Sequence, residues 1–217
     1  MRIAIFSDNF YPELSGISDS IIHLAVELSN LKHDICFFVP KYSGKNYEIV
    51  KRPRLELELG ARIEIKRFFS WPFPSPTRQA RLVIPSAWRS ISVKKFKPDI
   101  IHSQLFFGVG LEGLIAAKLL RRPIIGTNHT RIKEFFKAGY FDSPRLGEIF
   151  TRYMNWYYNQ CDYVTAPSRS FLDEMRKNCL TAPARSISNP VDMRVFNHLK
   201  ITNRQAIRKK YNLSDYA

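Results

Sequence analysis

Short apolar runs alternate along the chain with helical patterns of hydrophobic residues, and the first 31 residues show this most clearly. Residues 2–6 form a β-branched apolar run, which predicts a strand buried on both faces. Residues 7–16 are rich in polar residues, proline and glycine and predict a loop. Apolar residues then recur at helical spacing as far as Leu31, which predicts a helix with its N-cap at Ser18 or Asp19. The chain therefore begins with a strand, a loop and a helix.

The same alternation continues to the end of the sequence. Further strands are predicted at 34–39, 62–68, 99–104, 123–127, 162–166 and 186–188. Further helices are predicted at 86–97, 108–120, 145–160, 168–177 and 202–211. A strand, a helix and a second strand within about 30 residues are typical of a βαβ unit, so we expect an α/β fold with a parallel sheet.

Some stretches give more specific expectations. The strand at 62–68 carries charged residues on one face and is predicted to lie near an edge of the sheet. Residues 41–60 are polar and are predicted to be irregular, and the prolines within 68–77 predict a loop. In the helix at 145–160, the residues expected to share one face are Ile149, Tyr153, Trp156 and Tyr157.

Three residues are candidates for a ligand site, because ligands of open α/β sheets bind beyond the carboxyl ends of the strands. Gly16 has no Cβ and precedes the first helix, whose free N–H groups suit a phosphate or carboxylate. His102 ends one strand and His129 follows the next, so both are expected at the same edge. The alternatives stay open: Gly16 permits a tight turn only, and each histidine has a structural role within a hydrogen-bonded core.

Charge narrows the class of partner. The 217 residues include 34 Lys and Arg against 19 Asp and Glu, a net charge of +15. This excess favours an anionic partner: nucleic acid, an acidic membrane surface or a phosphorylated substrate. No RNP pair, zinc finger or basic tail is present, so we expect no nucleic-acid partner.

The cysteines and the lengths of the apolar segments indicate the cellular compartment in which the chain is expected. Cys36, Cys161 and Cys179 are odd in number and lack metal-ligand spacing, which suits a reducing cytoplasm. No apolar run approaches the ~20 residues of a membrane span, and polar residues interrupt the N-terminus too early for a signal peptide.

Residues 62–97 combine aromatic and basic side chains, as interfacial membrane surfaces do. The predicted membrane-facing residues are Trp71, Phe73, Arg78, Arg81, Trp88, Arg89, Lys94 and Lys95. The alternative is that the rings pack on the core and the charges form a solvated face.

Five segments, taken together, resemble the N-terminal half of glycosyltransferase family 4. They are residues 3–28, PDIIHSQ at 98–104, PIIGTNHT at 123–130, CDYVTAPSRSFLDEM at 161–175 and SISNPVDMRVF at 186–196. The basic Trp/Pro/Arg stretch and the TNHT-x-x-x-E-F segment look most like the members that form glycolipids. Those members transfer a sugar from a nucleotide-sugar to diacylglycerol or phosphatidylinositol.

The resemblance implies a GT-B architecture, in which two Rossmann-like domains face each other. It implies a Rossmann-like, doubly wound, mostly parallel acceptor-binding domain at 1–192, followed at 193–217 by a linker and the start of a second domain. Residues 189–192 match the interdomain hinge. The enzyme would be retaining and, without its donor-binding C-terminal domain, would barely catalyse. A binding module without catalytic activity is the alternative.

The resemblance also implies roles for individual residues. His129 matches a histidine close to the reacting sugar, and Gly16 matches the glycine that faces the donor diphosphate. The residues matching the acceptor pocket are Asn9, Phe10, Tyr11, Ser18 and His102. No D-x-D motif occurs, in agreement with a metal-independent family whose co-substrate is a nucleotide-sugar. The expected partners are an anionic membrane or lipid acceptor and a separate C-terminal domain, and the expected location is the cytoplasmic face of the membrane.

Overall fold

A parallel seven-stranded sheet forms the centre of the computed structural model, which describes residues 1–75, 77–131, 144–191, 193 and 204–212. Its strands are β1 (Arg2–Phe6), β2 (Asp34–Pro40), β3 (Ile63–Phe68), β6 (Ile100–Ser103), β7 (Ile124–Thr127), β8 (Tyr163–Ala166) and β9 (Ala184–Ser186). They are ordered β3-β2-β1-β6-β7-β8-β9. A separate two-stranded ribbon pairs β4 (Trp71–Pro72) with β5 (Arg81–Leu82). The predicted α/β, doubly wound, Rossmann-like fold is confirmed.

Helices lie between successive strands of the sheet, except α7, which follows β9. They are α1 (Gly16–Asn30), α2 (Gly44–Ile49), α3 (Ser90–Phe96), α4 (Gly108–Leu120), α5 (Pro144–Asn159), α6 (Arg169–Lys177) and α7 (Arg204–Lys210). A 3₁₀ turn at Ala87–Arg89 leads into α3. None of the helices within the described ranges is long and apolar enough to cross a membrane.

Two hydrophobic cores cover the two faces of the sheet, because successive side chains of a strand point to opposite faces. Phe6 of β1 packs with Phe38 of β2 in the larger core, which also holds buried residues of α4, α5 and α6. Ile5 and Phe37 lie in the other core with residues of α1. The apolar runs of the central strands thus reflect burial on both sides. β3 is an edge strand, as its charged residues predicted.

Several predicted boundaries were wrong for local reasons. Helix α1 begins at Gly16, because the Ser15 hydroxyl caps it by accepting from the Ser18 N–H at 3.1 Å. Helix α2 lies in the stretch predicted to be irregular, where Ser43 and Asn46 form a capping box. Two residues of the predicted proline loop, Trp71 and Pro72, pair instead with β5, and the last strand lies at 184–186.

Helix α5 brings only part of the predicted face against the core, where Tyr153 packs half-buried. Tyr157 is fully buried, as expected, whereas Ile149 and Trp156 are 61% and 49% exposed. Met154 and Tyr158 take their place in the core. A Cβ at Gly126 would lie 2.9 Å from the Tyr158 ring, so the glycine lets α5 pack closely on β7.

The predicted domain boundary stays a prediction. Residues 189–191 are exposed and irregular, while Asp192 lies outside the described residues. The E-F part of the TNHT-x-x-x-E-F segment, at Glu134 and Phe135, also lies outside them.

Candidate functional site

The first candidate site lies where the strand order of the sheet reverses. From β1 the order runs to β2 and β3 on one side and to β6 and β7 on the other. In such folds the crevice at this switch point is where ligands bind. The Gln104 N–H donates to the Phe6 carbonyl at 2.8 Å, which holds the residues after β6 beside the end of β1.

Side chains at the ends of β6, β7 and β8 form one continuous hydrogen-bonded row, here called the edge network. The hydroxyl oxygens of Thr165 and Thr127 lie 2.6 Å apart, within hydrogen-bond distance. Thr127 Oγ1 in turn lies 2.7 Å from His102 Nε2. Gln104 Nε2 lies 3.1 Å from the same His102 nitrogen, and Gln104 Oε1 lies 2.8 Å from His129 Nε2. The two predicted histidines are therefore brought together by a residue between them.

Burial keeps both imidazoles neutral. Desolvation lowers the pKa of His102 to about 4, with a smaller contribution from the neighbouring His129. Desolvation also lowers the pKa of His129 to about 4. The Nδ1 atom of His129 is buried and has no hydrogen-bond partner among the described residues. At neutral pH these side chains act as hydrogen-bonding groups without charge.

A buried carboxylate lies beside this crevice, at the start of α4. Asp8 Oδ1 accepts from the Val109 N–H at 2.7 Å, and Oδ2 accepts from the Gly110 N–H at 3.2 Å. Burial raises the pKa of Asp8 to about 6, although these bonds act in the opposite direction. The helix N-terminus stabilises the negative charge that burial disfavours.

A cleft of about 200 Å³ opens between the loop after β1, the β4–β5 ribbon and the start of α4. Its polar wall carries Asp8, Asn9 and Glu13, and Asn9 donates to the Glu13 carboxylate at 2.6 Å. The Tyr42 hydroxyl donates to the other Glu13 oxygen at 3.0 Å. Its remaining lining includes Phe73, Arg81, Leu82, Phe107 and Phe150. The cleft thus has a polar end rich in acceptors and an aromatic wall.

The predicted donor and acceptor residues differ in accessibility. Gly16 is exposed, and an added Cβ would have no neighbour within 4 Å. Asn9 lines the cleft, and Tyr11 is half-buried with its ring edge-on to Tyr47. Phe10 is fully buried against Phe37, and Ser18 is buried with its hydroxyl 3.0 Å from that of Ser15. Phe10 and Ser18 therefore pack beneath the loop between β1 and α1, on the side away from solvent.

A second surface, here called the cationic groove, lies between β3 and α3. It is an open depression of about 730 Å³ lined by Lys66, Arg67, Phe68, Phe69, Trp88, Arg89, Ile91, Ser92 and Lys95. Trp88 is 78% exposed and Phe69 is 60% exposed. Lys66, Arg67 and Arg89 pair with Glu64, Glu56 and Glu112 at 3.3, 2.6 and 3.4 Å. Lys95, by contrast, is exposed in the last turn of α3 beside the exposed Lys94.

The predicted membrane-facing residues are divided among three environments. Trp88, Lys94 and Lys95 are exposed on or beside α3, and Trp71 is exposed with its ring edge-on to Phe69. Arg78 is exposed in the turn of the ribbon.

The other three membrane-facing candidates turn toward the protein. Phe73 and Arg81 line the cleft, and the Arg81 guanidinium donates to the Ser70 hydroxyl at 3.0 Å. Arg89 lies over the Phe68 ring at 5.1 Å and pairs with the fully buried Glu112.

Sequence analysis missed the residues that hold these parts together. Gln104 follows His102 by two positions along an extended segment, so their side chains share a face. That spacing was a usable signal. Asp8 and Glu112 gave no comparable signal, because their partners are distant in the sequence: Glu112 accepts from the Ser86 N–H at 2.6 Å. Glu13 was also missed, although one of its two partners, Asn9, is only four positions away.

Within the described ranges, no three His, Cys, Asp or Glu side chains are grouped so that they could hold a metal ion.

Comparison with known proteins gives the family. The sequence profile described as Glycosyltransferase Family 4 matches residues 14–195. The chain is 24% identical to an alpha-monoglucosyldiacylglycerol synthase of Streptococcus pneumoniae over 99% of this chain and 46% of that protein. It is 28% identical to a GDP-mannose-dependent alpha-mannosyltransferase of Corynebacterium glutamicum over 81% of this chain and 40% of that protein. The chain therefore spans less than half the length of these relatives.

Solved structures agree on the fold. A sucrose-phosphate synthase structure from Thermosynechococcus elongatus matches with a TM-score of 0.50 and 14% identity, over 98% of this chain and 96% of that one. At this identity the likeness concerns the fold alone.

Proposed function

This chain belongs to glycosyltransferase family 4, and from that premise we propose that it is the N-terminal, acceptor-binding domain of a retaining enzyme that transfers a sugar from a nucleotide-sugar to a membrane lipid. The single observation that carries the lipid assignment is the cleft beside the switch point. Its polar end and its aromatic wall suit an acceptor that has a hydroxyl headgroup and an apolar tail.

The polar end of the cleft suits a neutral hydroxyl. Asp8, Asn9 and Glu13 place carboxylate and amide oxygens at one end, and a hydroxyl donates to such oxygens. An anionic headgroup would meet Asp8 and Glu13 at close range, and Arg81 is the one cation among the described residues that line the cleft. A diacylglycerol hydroxyl therefore fits this end better than a phosphate does.

The aromatic wall suits the start of an acyl chain. Phe73, Phe107 and Phe150 line the cleft, and Phe73 and Leu82 are each 40% exposed. Burying such surface under hydrocarbon is favourable by about 25 cal/mol per Å². The cationic groove, with Trp88 and Lys95, would rest on the anionic bilayer that supplies the lipid.

The open start of α1 suits the donor. The backbone at Gly16 is exposed at a helix N-terminus, where N–H groups and the helix dipole favour a diphosphate. A second domain, which the greater length of the relatives would accommodate, would hold the nucleotide. No metal or further cofactor enters this proposal.

The proposed reaction is a front-face displacement. The bond between the sugar C1 and the diphosphate oxygen breaks, and a bond from C1 to the acceptor oxygen forms on the same face. The acceptor proton passes to the departing diphosphate. His129 would orient the sugar as a neutral hydrogen-bonding group, and closure of the two domains would exclude water.

Vesicle binding tests the acceptor half of the proposal with this chain alone. We expect binding to phosphatidylcholine vesicles to increase with added phosphatidylglycerol, and to increase further with diacylglycerol. Phe73→Ala should remove the diacylglycerol increment, whereas Phe69→Ala, in the cationic groove, should leave that increment unchanged. Equal binding with and without diacylglycerol would refute the acceptor assignment.

Transfer tests the catalytic half. The chain is mixed with the separately expressed C-terminal half of the Streptococcus pneumoniae relative, diacylglycerol vesicles and either UDP-glucose or GDP-mannose. We expect glycolipid to form with one donor. Salt-sensitive vesicle binding with no transfer for any sugar would instead support the alternative, a binding module without catalytic activity.

A further inference from the structure

One side-chain amide connects the two histidines of the edge network. Gln104 Oε1 lies 2.8 Å from His129 Nε2, and Gln104 Nε2 lies 3.1 Å from His102 Nε2. An amide oxygen only accepts a hydrogen bond and an amide nitrogen only donates one. The amide therefore requires one imidazole nitrogen to carry a proton and the other to present a lone pair.

Two arrangements of protons satisfy this requirement. In the first, His129 donates from Nε2 to the Gln104 oxygen, and His102 Nε2 accepts from the Gln104 nitrogen. In the second, the amide is turned over, His102 donates from Nε2 and His129 Nε2 accepts. In either case one neutral histidine carries its proton on Nε2 and the other carries it on Nδ1, because the same amide accepts from one ring and donates to the other.

The buried Nδ1 atom of His129 distinguishes the two arrangements. It has no hydrogen-bond partner among the described residues. In the first arrangement Nδ1 is an unpaired lone pair, and in the second it is an unpaired N–H. Among buried backbone groups, orphaned N–H donors are rare and under-satisfied acceptors are somewhat less rare, and we apply the same preference to this ring. The first arrangement is therefore favoured.

We propose that Gln104 is a positioning residue that fixes His102 with its proton on Nδ1 and His129 with its proton on Nε2. His129 then carries a lone pair on Nδ1, which accepts a hydrogen bond from a hydroxyl but cannot donate one to a phosphate oxygen. The identity of the ligand, a sugar hydroxyl, rests on the proposed function. The assignment of the tautomers rests on the hydrogen bonds alone, so it can be tested without any transfer reaction.

Nuclear magnetic resonance of the chain with ¹⁵N-labelled histidine measures the tautomers directly. We expect His129 to show a protonated Nε2 and an unprotonated Nδ1, and His102 to show the reverse. The same tautomer at both histidines, or a protonated Nδ1 at His129, would overturn the proposal from the wild-type spectrum alone.

Two substitutions separate positioning from packing. In Gln104→Glu the carboxylate still accepts from His129 but no longer donates to His102, so we expect His102 alone to move its proton to Nε2. In Gln104→Met both bonds of the amide are absent. His102 Nε2 keeps only the Thr127 hydroxyl, which can donate or accept, so we expect both histidines to become mixtures of tautomers. Gln160→Met, the same change at a partly exposed glutamine outside the network, should alter neither. If Gln104→Met leaves both tautomers unchanged, Gln104 does not position them.

Discussion

The edge network and the cationic groove lie on the same sheet but are built in opposite ways. The network consists of buried and half-buried neutral groups that bond to one another within 2.6–3.1 Å. The groove is open and combines exposed side chains, of which Trp88 is 78% exposed, with half-buried cations that are held in ion pairs. The network depends on each bond, because an unsatisfied buried group is costly. The groove depends on a sum of weak, salt-screened contributions.

Acid should affect the network most strongly. The pKa of His102 and of His129 is lowered from about 6.5 to about 4, so the stability that their neutral forms provide is fully present above pH 6.5 and is lost as the pH falls through 4. Each shift corresponds to about 3 kcal/mol. Asp8 opposes this loss, since its raised pKa means that stability is lost as the pH rises to about 6.

Urea unfolding between pH 7 and pH 4 measures this effect. His129→Gln should reduce the pH dependence, because the variant has one fewer group to protonate. His23→Gln, at an exposed histidine, should retain the full dependence. Equal pH dependence in all three proteins would show that the network does not hold its histidines neutral.

Glu112→Ala should destabilise the chain by about 1–3 kcal/mol, the typical cost of leaving buried groups unsatisfied, and should disturb the cationic groove. The Glu112 carboxylate accepts from the Ser86 N–H at 2.6 Å and pairs with Arg89, so it ties the turn before α3 to α4. We expect lower stability in urea together with weaker vesicle binding.

The matched control for Glu112 is an exposed carboxylate. Asp173→Ala removes an exposed ion pair with Arg176 and should cost less than about 0.5 kcal/mol. If Glu112→Ala behaves like Asp173→Ala, the buried pair does not hold the groove in place.

Lysine substitutions should weaken vesicle binding without unfolding the chain. Lys94→Gln combined with Lys95→Gln removes two exposed charges, each worth about 1 kcal/mol at an anionic membrane surface. We expect affinity for phosphatidylglycerol vesicles to fall about 30-fold at low salt, and by less at high salt. Arg122→Gln combined with Lys177→Gln, at exposed positions after α4 and at the end of α6, should change the affinity little. An equal loss in both double variants would indicate attraction by net charge alone.

Trp88→Ala should have the smallest effect on stability, within about 0.5 kcal/mol, because the ring is mostly exposed. Urea unfolding checks this value, and the same variant should bind vesicles less well. A loss of more than about 1 kcal/mol would favour the other interpretation of residues 62–97, in which their rings belong to the core.

The sequence predicted the parallel sheet well because strands buried on both faces leave uninterrupted apolar runs, as in β1 and β2. It predicted the edge position of β3 from its charged residues. It failed where contacts distant in sequence decide the structure. Ile149 and Trp156 on α5 are apolar but exposed, and apolar identity alone did not separate them from Tyr157 on the same helix.

The candidate site was predicted in outline only. Strand ends place His102 and His129 at one edge, but Gln104 between them was overlooked although its two-residue spacing from His102 was visible. Asp8 was overlooked for another reason. Asp8 meets the N–H groups of Val109 and Gly110, more than a hundred positions away, and no local pattern records such a pairing.

The position of β1 at the middle of the sheet has a consequence for synthesis on the ribosome. β1 pairs with β2 early, yet its other edge waits for β6, since Ile3 is the partner of Ile100. At about 5–20 residues per second, that edge is without its neighbour for several seconds. During this interval the nascent chain exposes an apolar strand with unpaired backbone groups, which is the kind of surface that chaperones recognise and that aggregates when left uncovered.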